Sequence, residues 1–191
     1  MRTGIAQHPI GSSPTRASSL LSDLRSRLGV PADHRICLMG IGNVTRQDDG
    51  FGVRLAEAMA NLGWPHVIQA GTTPERFMGT VLEQDADRVL LLDAVDFGAV
   101  PGTVVLLNAR EMEHRFPQIS THRISLGLLA RYLEANSSRR AWLLGVQPES
   151  LHPALDLSPV LQTTLETLVA VLRELLGLTA GKSPERGGVL C

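Results

Sequence analysis

Arg88-Val89-Leu90-Leu91-Leu92-Asp93 constrains the fold more than any other stretch of the chain, because four apolar residues stand in a row. A strand with one wet face alternates apolar and polar residues, whereas an unbroken run needs cover on both faces. The segment therefore predicts a central strand of a parallel sheet, with a carboxylate at its carboxyl end. A second apolar run, Ile36–Met39, closes on Gly40-Ile41-Gly42-Asn43, which suits a buried strand feeding a turn. His66–Gln69, Thr103–Leu107 and Ala141–Gly145 supply the remaining strands.

Helical spacing fills the gaps between them. From Gly50 to Leu62, the residues Phe51, Leu55, Met59 and Leu62 fall on one face, and Gly63-Trp64-Pro65 stops the helix. A helix near Glu75–Gln84 follows the second strand. Leu126, Leu129 and Leu133 mark another over Ser125–Glu134. Ser158-Pro159 opens a last one that reaches Leu176, with Leu161, Leu165, Leu168, Leu172 and Leu175 as its buried stripe and Gly177 just beyond. Strands alternating with helices indicate a three-layer α/β/α sandwich around a mostly parallel central sheet. One domain spans residues 35–177. Residues 1–34 read as an N-terminal extension, polar and mobile to residue 17, then a short helix from Ser19 to Leu28 packed on the domain as an appendage. Residues 178–191 read as a flexible tail.

A length of 191 residues fits one domain with a sizeable core, since domains run to about 100–200 residues. A net charge of −1, with 19% charged residues, leaves no basic excess for nucleic acid, and the few aromatics form no base-stacking surface. The first residues lack the apolar core of a signal peptide, and no run approaches the ~20 apolar residues of a membrane span. Cys37 lies in an apolar run and Cys191 is terminal. Neither pattern is a disulfide framework or a cysteine-rich zinc site, which argues for a reducing cytoplasm.

In an open parallel sheet, ligands bind beyond the carboxyl ends of the strands. Asp48 and Asp49 follow the first strand's loop, Asp93 ends the central strand, and His122 lies in a polar loop before a late helix. Two carboxylates and an imidazole suit divalent nickel, zinc or manganese, and three donors leave coordination positions open. Each has a plainer account too. Asp48-Asp49 before a helix can serve as N-cap and first-turn acid, Asp93 can cap a neighbouring helix, and a lone His122 can be a surface or hydrogen-bonded histidine. Asp96, in Asp-Phe-Gly, reads as a turn residue. Gly40-x-Gly42 lacks the third glycine of a dinucleotide fingerprint, and there is no Walker lysine, nucleophile elbow, His-Glu-x-x-His or Cys-x-x-Cys. Ser120 and Thr121 beside His122 carry no mark of an activated nucleophile.

Four segments occur in order: Gly40-Ile41-Gly42-Asn43-x₄-Asp48-Asp49-Gly50-x-Gly52-Val53, Leu92-Asp93-Ala94-Val95-Asp96-Phe97-Gly98-x₂-Pro101-Gly102, Ser120-Thr121-His122 and Leu144-Gly145-Val146-Gln147-Pro148-Glu149. Together they resemble the nickel–iron hydrogenase maturation protease family over residues 35–177. The resemblance implies an endopeptidase that acts on the precursor of a hydrogenase large subunit, senses the nickel already loaded there, and removes a short C-terminal extension. By motif it places the metal-binding and catalytic positions on Asp49, Asp93 and His122, leaves Asp48 its capping role, and makes nickel a group supplied by the precursor. Gly42, Asn43 and Gly50 are expected to shape the first loop, Thr121 to orient the histidine, and Gln147-Pro148 to line the cleft. Ala70-Gly71-Thr72 stands where the family often has a Gly-Gly pair. A water activated by the metal, with a carboxylate as general base, is the favoured chemistry; in the alternative the metal only positions and the carboxylates move the protons. Competing readings are a non-catalytic nickel-dependent chaperone for the large subunit, and a small-molecule metallohydrolase sharing only the strand-end carboxylates.

Overall fold

A computed structural model describes residues 7–9, 14–29, 35–115 and 125–178. The expected α/β sandwich is present. In chain order the elements are β1 (Gln7–Pro9), α1 (Pro14–Leu28), β2 (Ile36–Ile41), α2 (Phe51–Asn61), β3 (Val67–Gly71), α3 (Met78–Glu83), β4 (Arg88–Ala94), β5 (Thr103–Asn108), α4 (Ala109–Arg115), α5 (Leu126–Ala135), β6 (Arg140–Val146) and α6 (Pro159–Leu175). Short 3₁₀ turns at Gln47–Gly50 and Pro74–Phe77 lead into α2 and α3.

The described strands form one sheet in the order β1-β5-β6-β4-β2-β3. β6, β4, β2 and β3 run parallel, and β5 and β1 add antiparallel pairs at one side. β4 is central, paired to β2 through Gly40↔Leu92 and to β6 through Asp93↔Gly145. Its unbroken apolar run divides by strand periodicity. Leu90, Leu92 and Ala94 face one core with α1, α2 and α6, while Val89 and Leu91 face a second core with α3, α4 and α5. Both faces are covered because neither could be left wet. Cys37, within β2, is fully enclosed, and burial pushes its thiol up to about 12 despite the nearby Arg139. It is an inert core residue.

Three elements differ from expectation. Residues 1–17 were expected to be polar and mobile, but Gln7–Pro9 pairs with β5. Helix α1 starts at Pro14, not Ser19, and is no appendage: Leu20, Leu21, Leu24 and Leu28 are all buried in the core against α6. Helix α4 has few periodic apolar residues to announce it, yet it carries a capping box. Asn108 Oδ1 accepts from Glu111 N at 2.9 Å, and Glu111 Oε2 accepts from Asn108 N at 2.9 Å. The same carboxylate receives Arg27 of α1 at 2.6 and 2.9 Å, joining helices from both layers around the sheet. Leu62, expected on the buried face of α2, is exposed because the helix ends at Asn61. No described helix is long and apolar enough to cross a membrane. The tail from residue 179 onward lies outside the described residues.

Glycine lets α2 approach the sheet closely. A Cβ on Gly52 would lie 2.0 Å from the Leu92 carbonyl oxygen and 2.5 Å from that of Ile41. The backbone must therefore move to admit any side chain. Gly52→Ala is expected to lower unfolding free energy by about 3 kcal/mol. Gly79→Ala in α3, where nothing lies within 4 Å, should instead gain about 0.5–1 kcal/mol. Chemical denaturation of the pair checks this, and equal midpoints would contradict the close-approach argument.

Candidate active site

The loops that leave the carboxyl ends of β2, β4 and β6 meet along one edge of the sheet. The first turns at Gly42, whose φ is 128°. A Cβ there would lie 1.7 Å from the Asp49 carbonyl oxygen, so only glycine allows the strand exit to press on the peptide that carries Asp49. Gln47 adopts φ 45°, a left-handed conformation costing a non-glycine residue about 1–2 kcal/mol. Neighbouring contacts hold it there. Gln47 N donates to Ala154 O at 2.9 Å, Asp48 N to Ser150 O at 3.2 Å, and Ala154 N to Thr45 O at 3.2 Å. The arginines of this region also reach the β6–α6 loop, Arg46 to Leu151 O at 3.2 Å and Arg54 to Leu155 O.

Asp48 does not cap α2, as the sequence suggested. Its carboxylate is fully buried and faces the β6–α6 loop. Oδ2 accepts from Glu149 N at 2.9 Å, Ser150 N at 3.0 Å and Ser158 Oγ at 2.9 Å, and Oδ1 accepts from Ser158 N at 2.8 Å. No side chain caps α2 or the 3₁₀ turn before it. Ser158 is the N-cap residue of α6 by position, but its hydroxyl is given to Asp48 and caps nothing in its own helix. Four donors satisfy a buried charge without any cation, which such a group requires.

Asp49, one residue on, is in a different situation. It is 6% exposed, and its Oδ2 accepts from Asn43 N at 3.0 Å. Its Oδ1 is buried with no hydrogen-bond partner among the described residues. Leaving a buried charged acceptor unmade costs about 1–3 kcal/mol or more, and an arriving cation removes that cost. Asp93 is 2% exposed near the end of β4. The 3₁₀ turn that carries Asp49 lies against β4, and Gly52 presses on Leu92, the residue before Asp93. The two carboxylates expected as ligands thus reach the same sheet edge.

The third expected ligand, His122, lies outside the described residues, as do Ser120 and Thr121. Among the described residues, no three His, Cys, Asp or Glu side chains stand together as a metal site. Asp49 and Asp93 fit a divalent cation in charge and donor type, and the third expected donor stands in the sequence between α4 and α5. Helix α5 has its C-terminal end beside the start of β6, where Glu134 Oε1 accepts from Ala141 N at 3.2 Å. Its first turn therefore points back towards the edge that bears the carboxylates.

Gln147 does not line a cleft with its side chain. Its Oε1 accepts from Phe97 N at 2.9 Å and Ala99 N at 3.1 Å, while Nε2 donates to Asp96 Oδ1 at 3.0 Å. Asp96 is the expected turn residue, accepting from Gly98 N at 3.1 Å. The Gln147 amide and the Gly98 N–H together hold the Asp96 carboxyl below its usual range. Loops 42–50, 95–102 and 147–158 are consequently one hydrogen-bonded rim.

Asp48→Asn puts an NH₂ group where N–H and O–H donors converge. It is expected to cost about 3 kcal/mol by chemical denaturation, with a loss of activity secondary to loosening of the loop. Unchanged stability would show that the loop does not depend on the charge.

Comparison with known proteins identifies the family. Residues 53–174 match the family model for hydrogenase maturation proteases. The chain is 30% identical to the hydrogenase 2 maturation protease of Escherichia coli K12 over 152 residues, covering 73% of this chain and 92% of that protein. Among solved structures it is similar to the [NiFe] hydrogenase maturation protease HycI from Thermococcus kodakarensis KOD1, with a TM-score of 0.70, 29% identity, and coverage of 83% and 99% of the two chains. It is also similar to the hydrogenase maturating endopeptidase HybD from E. coli, with a TM-score of 0.59, 29% identity, and coverage of 73% and 93%. The shared sheet, and a match that runs from α2 almost to the end of α6, leave one assignment: this chain belongs to the hydrogenase maturation proteases, and is an endopeptidase.

Proposed function

We propose that this endopeptidase acts on the precursor of a nickel–iron hydrogenase large subunit, in a reducing cytoplasm, and removes its short C-terminal extension only when nickel is in place. Asp49, Asp93 and His122 grip the nickel that the substrate carries. The observation that supports this most is the Asp49 carboxylate: one oxygen is anchored on Asn43 N and the other is buried with no hydrogen-bond partner among the described residues. A permanent structural carboxylate would be satisfied as Asp48 is. A carboxylate held half-satisfied is suited to a cation that arrives with a partner.

Metal occupancy then becomes part of the binding energy, and an empty precursor lacks the bridge that the protease would grip. When bound, nickel supplies a local positive charge able to polarise groups beside it. The work left to this chain is to hold the scissile segment at the rim and to take up a proton from the attacking water, for which a strand-end carboxylate serves as general base. The rigid rim matters here, because catalytic groups displaced by about 1 Å can lose about 100-fold in rate.

The test is to mix the purified chain with a nickel–iron hydrogenase large-subunit precursor from the same organism, nickel-loaded and nickel-free, and to follow C-terminal shortening by mass spectrometry. Cleavage of the loaded form alone is expected. Binding without cleavage would favour a nickel-dependent chaperone, and indifference to the precursor a small-molecule metallohydrolase. Asp49→Asn keeps an acceptor for Asn43 N–H, and is expected to lower processing at least 100-fold with unfolding stability unchanged or raised. His122→Ala should abolish processing with little change in Tm. A His122→Ala protein that unfolds would make that histidine a packing residue instead.

A further inference from the structure

An apolar cavity of about 270 Å³ opens between the β3–α3 connection and α5, lined by Glu75, Met78, Leu128, Leu129 and Tyr132. It is smaller than the ~300–1,000 Å³ of a typical small-molecule site, and its size suits one or two amino-acid side chains. Leu128 and Tyr132 are 59% and 47% exposed, and they stand one helical turn apart on α5. At that spacing the two side chains share one face of the helix and form a single exposed apolar patch. Met78 and Leu129, by contrast, are buried in the core on this side of the sheet and form the cavity's floor.

Its place in the fold gives the cavity a meaning. Glu75 belongs to the 3₁₀ turn that follows the carboxyl end of β3, and Gly71, at that end, accepts from Gly42 N of the Asp49 loop at 3.0 Å. Leu128 and Leu129 are in the first turn of α5, whose opposite end is fixed beside the start of β6. The cavity therefore opens at the carboxylate edge of the sheet. An endopeptidase's substrate must cross that edge to reach the carboxylates. Another cavity, of about 410 Å³ beside Arg173, Glu174 and Leu178, lies at the C-terminal end of α6, away from Ser158.

We infer that the Met78–Leu128–Leu129–Tyr132 cavity is a specificity subsite, taking a large aliphatic or aromatic side chain of the precursor within a few residues of the cleaved bond. This rests on the proposed function. A cut at one bond needs the substrate chain held on at least one side of it, and the carboxylates read none of that chain's side chains. The cavity adds a reader of sequence to a reader of metal. Burying one such side chain is worth about 1.5–3 kcal/mol, equivalent to about 10- to 150-fold in binding.

The test uses the full chain and its nickel-loaded precursor. Leu128→Asp and Tyr132→Ala alter exposed positions, so folding should persist, and near-wild-type Tm values verify that it does. Each is expected to lower kcat/KM by at least tenfold, mainly through KM. Serine substitution of each large apolar residue flanking the cleaved bond then identifies the occupant. One precursor variant should lower kcat/KM with the wild-type enzyme but cause little further loss with Leu128→Asp, because the lost contact is shared. Wild-type rates for both enzyme variants, or additive losses for every precursor variant, overturn the subsite while leaving the proposed function intact. A wild-type enzyme that fails to process loaded precursor overturns both.

Discussion

The buried carboxylate of Asp48 is the tie on which the site depends. Its two oxygens collect donors from Glu149, Ser150 and Ser158, residues about a hundred positions further along the chain. That single group turns the loop after β2 and the loop after β6 into one unit. The energetic logic is that of any buried charge: with every lone pair used it rigidifies its surroundings, and with one donor missing it becomes a liability of several kcal/mol. Gln147 does the same for the loop after β4. With both in place, the edge of the sheet has little freedom to rearrange.

That rigidity explains how Asp49 can be kept half-satisfied. A carboxylate with an unmade hydrogen bond tends to move towards water or a donor, and only a surrounding framework prevents it. Here Gly42 packs against the peptide carrying Asp49, Asn43 N anchors one oxygen, and Asp48 pins the neighbouring residue. Strain at Gln47, with its positive φ, is absorbed by the same framework. Two adjacent aspartates thus have opposite duties. One spends all its hydrogen-bonding capacity on the fold, and the other has one buried oxygen with no hydrogen-bond partner among the described residues.

The layers outside the rim serve it less directly. Unbroken apolar strands in β2 and β4 need helices on both faces, which leaves the strand ends as the accessible part of the sheet. Glycines at 40 and 52 let α2 lie close to β2 and β4, bringing the start of that helix near Asp93. On the other face, the first turn of α5 and the end of β3 leave a gap whose apolar lining extends the edge beyond its acidic centre.

Most of the architecture was legible because it depends on local rules. Continuous apolar runs mark two-sided strands, and Leu126-Leu129-Leu133 or Leu161-Leu168-Leu172-Leu175 mark helix faces, since period and burial are written in consecutive residues. The Asn108-x-x-Glu111 box could have revealed α4 in the same way. The carboxylate edge was legible too, because Asp49 and Asp93 sit at strand exits. Unreadable were the pairings that close over long separations: β1 with β5, α1 into the core, Gln147 onto the 96–99 loop, and Asp48 with Ser158.

Sequence alone, then, determined which residues are apolar, at what period, and which acids end the strands, because backbone geometry converts those patterns into elements with little outside help. Only the tertiary structure decided that Asp48 is a structural tie and Asp49 is left with an open oxygen. In the chain they are neighbours of identical chemistry, and what separates them is which donors folding delivers from the far side of the sheet.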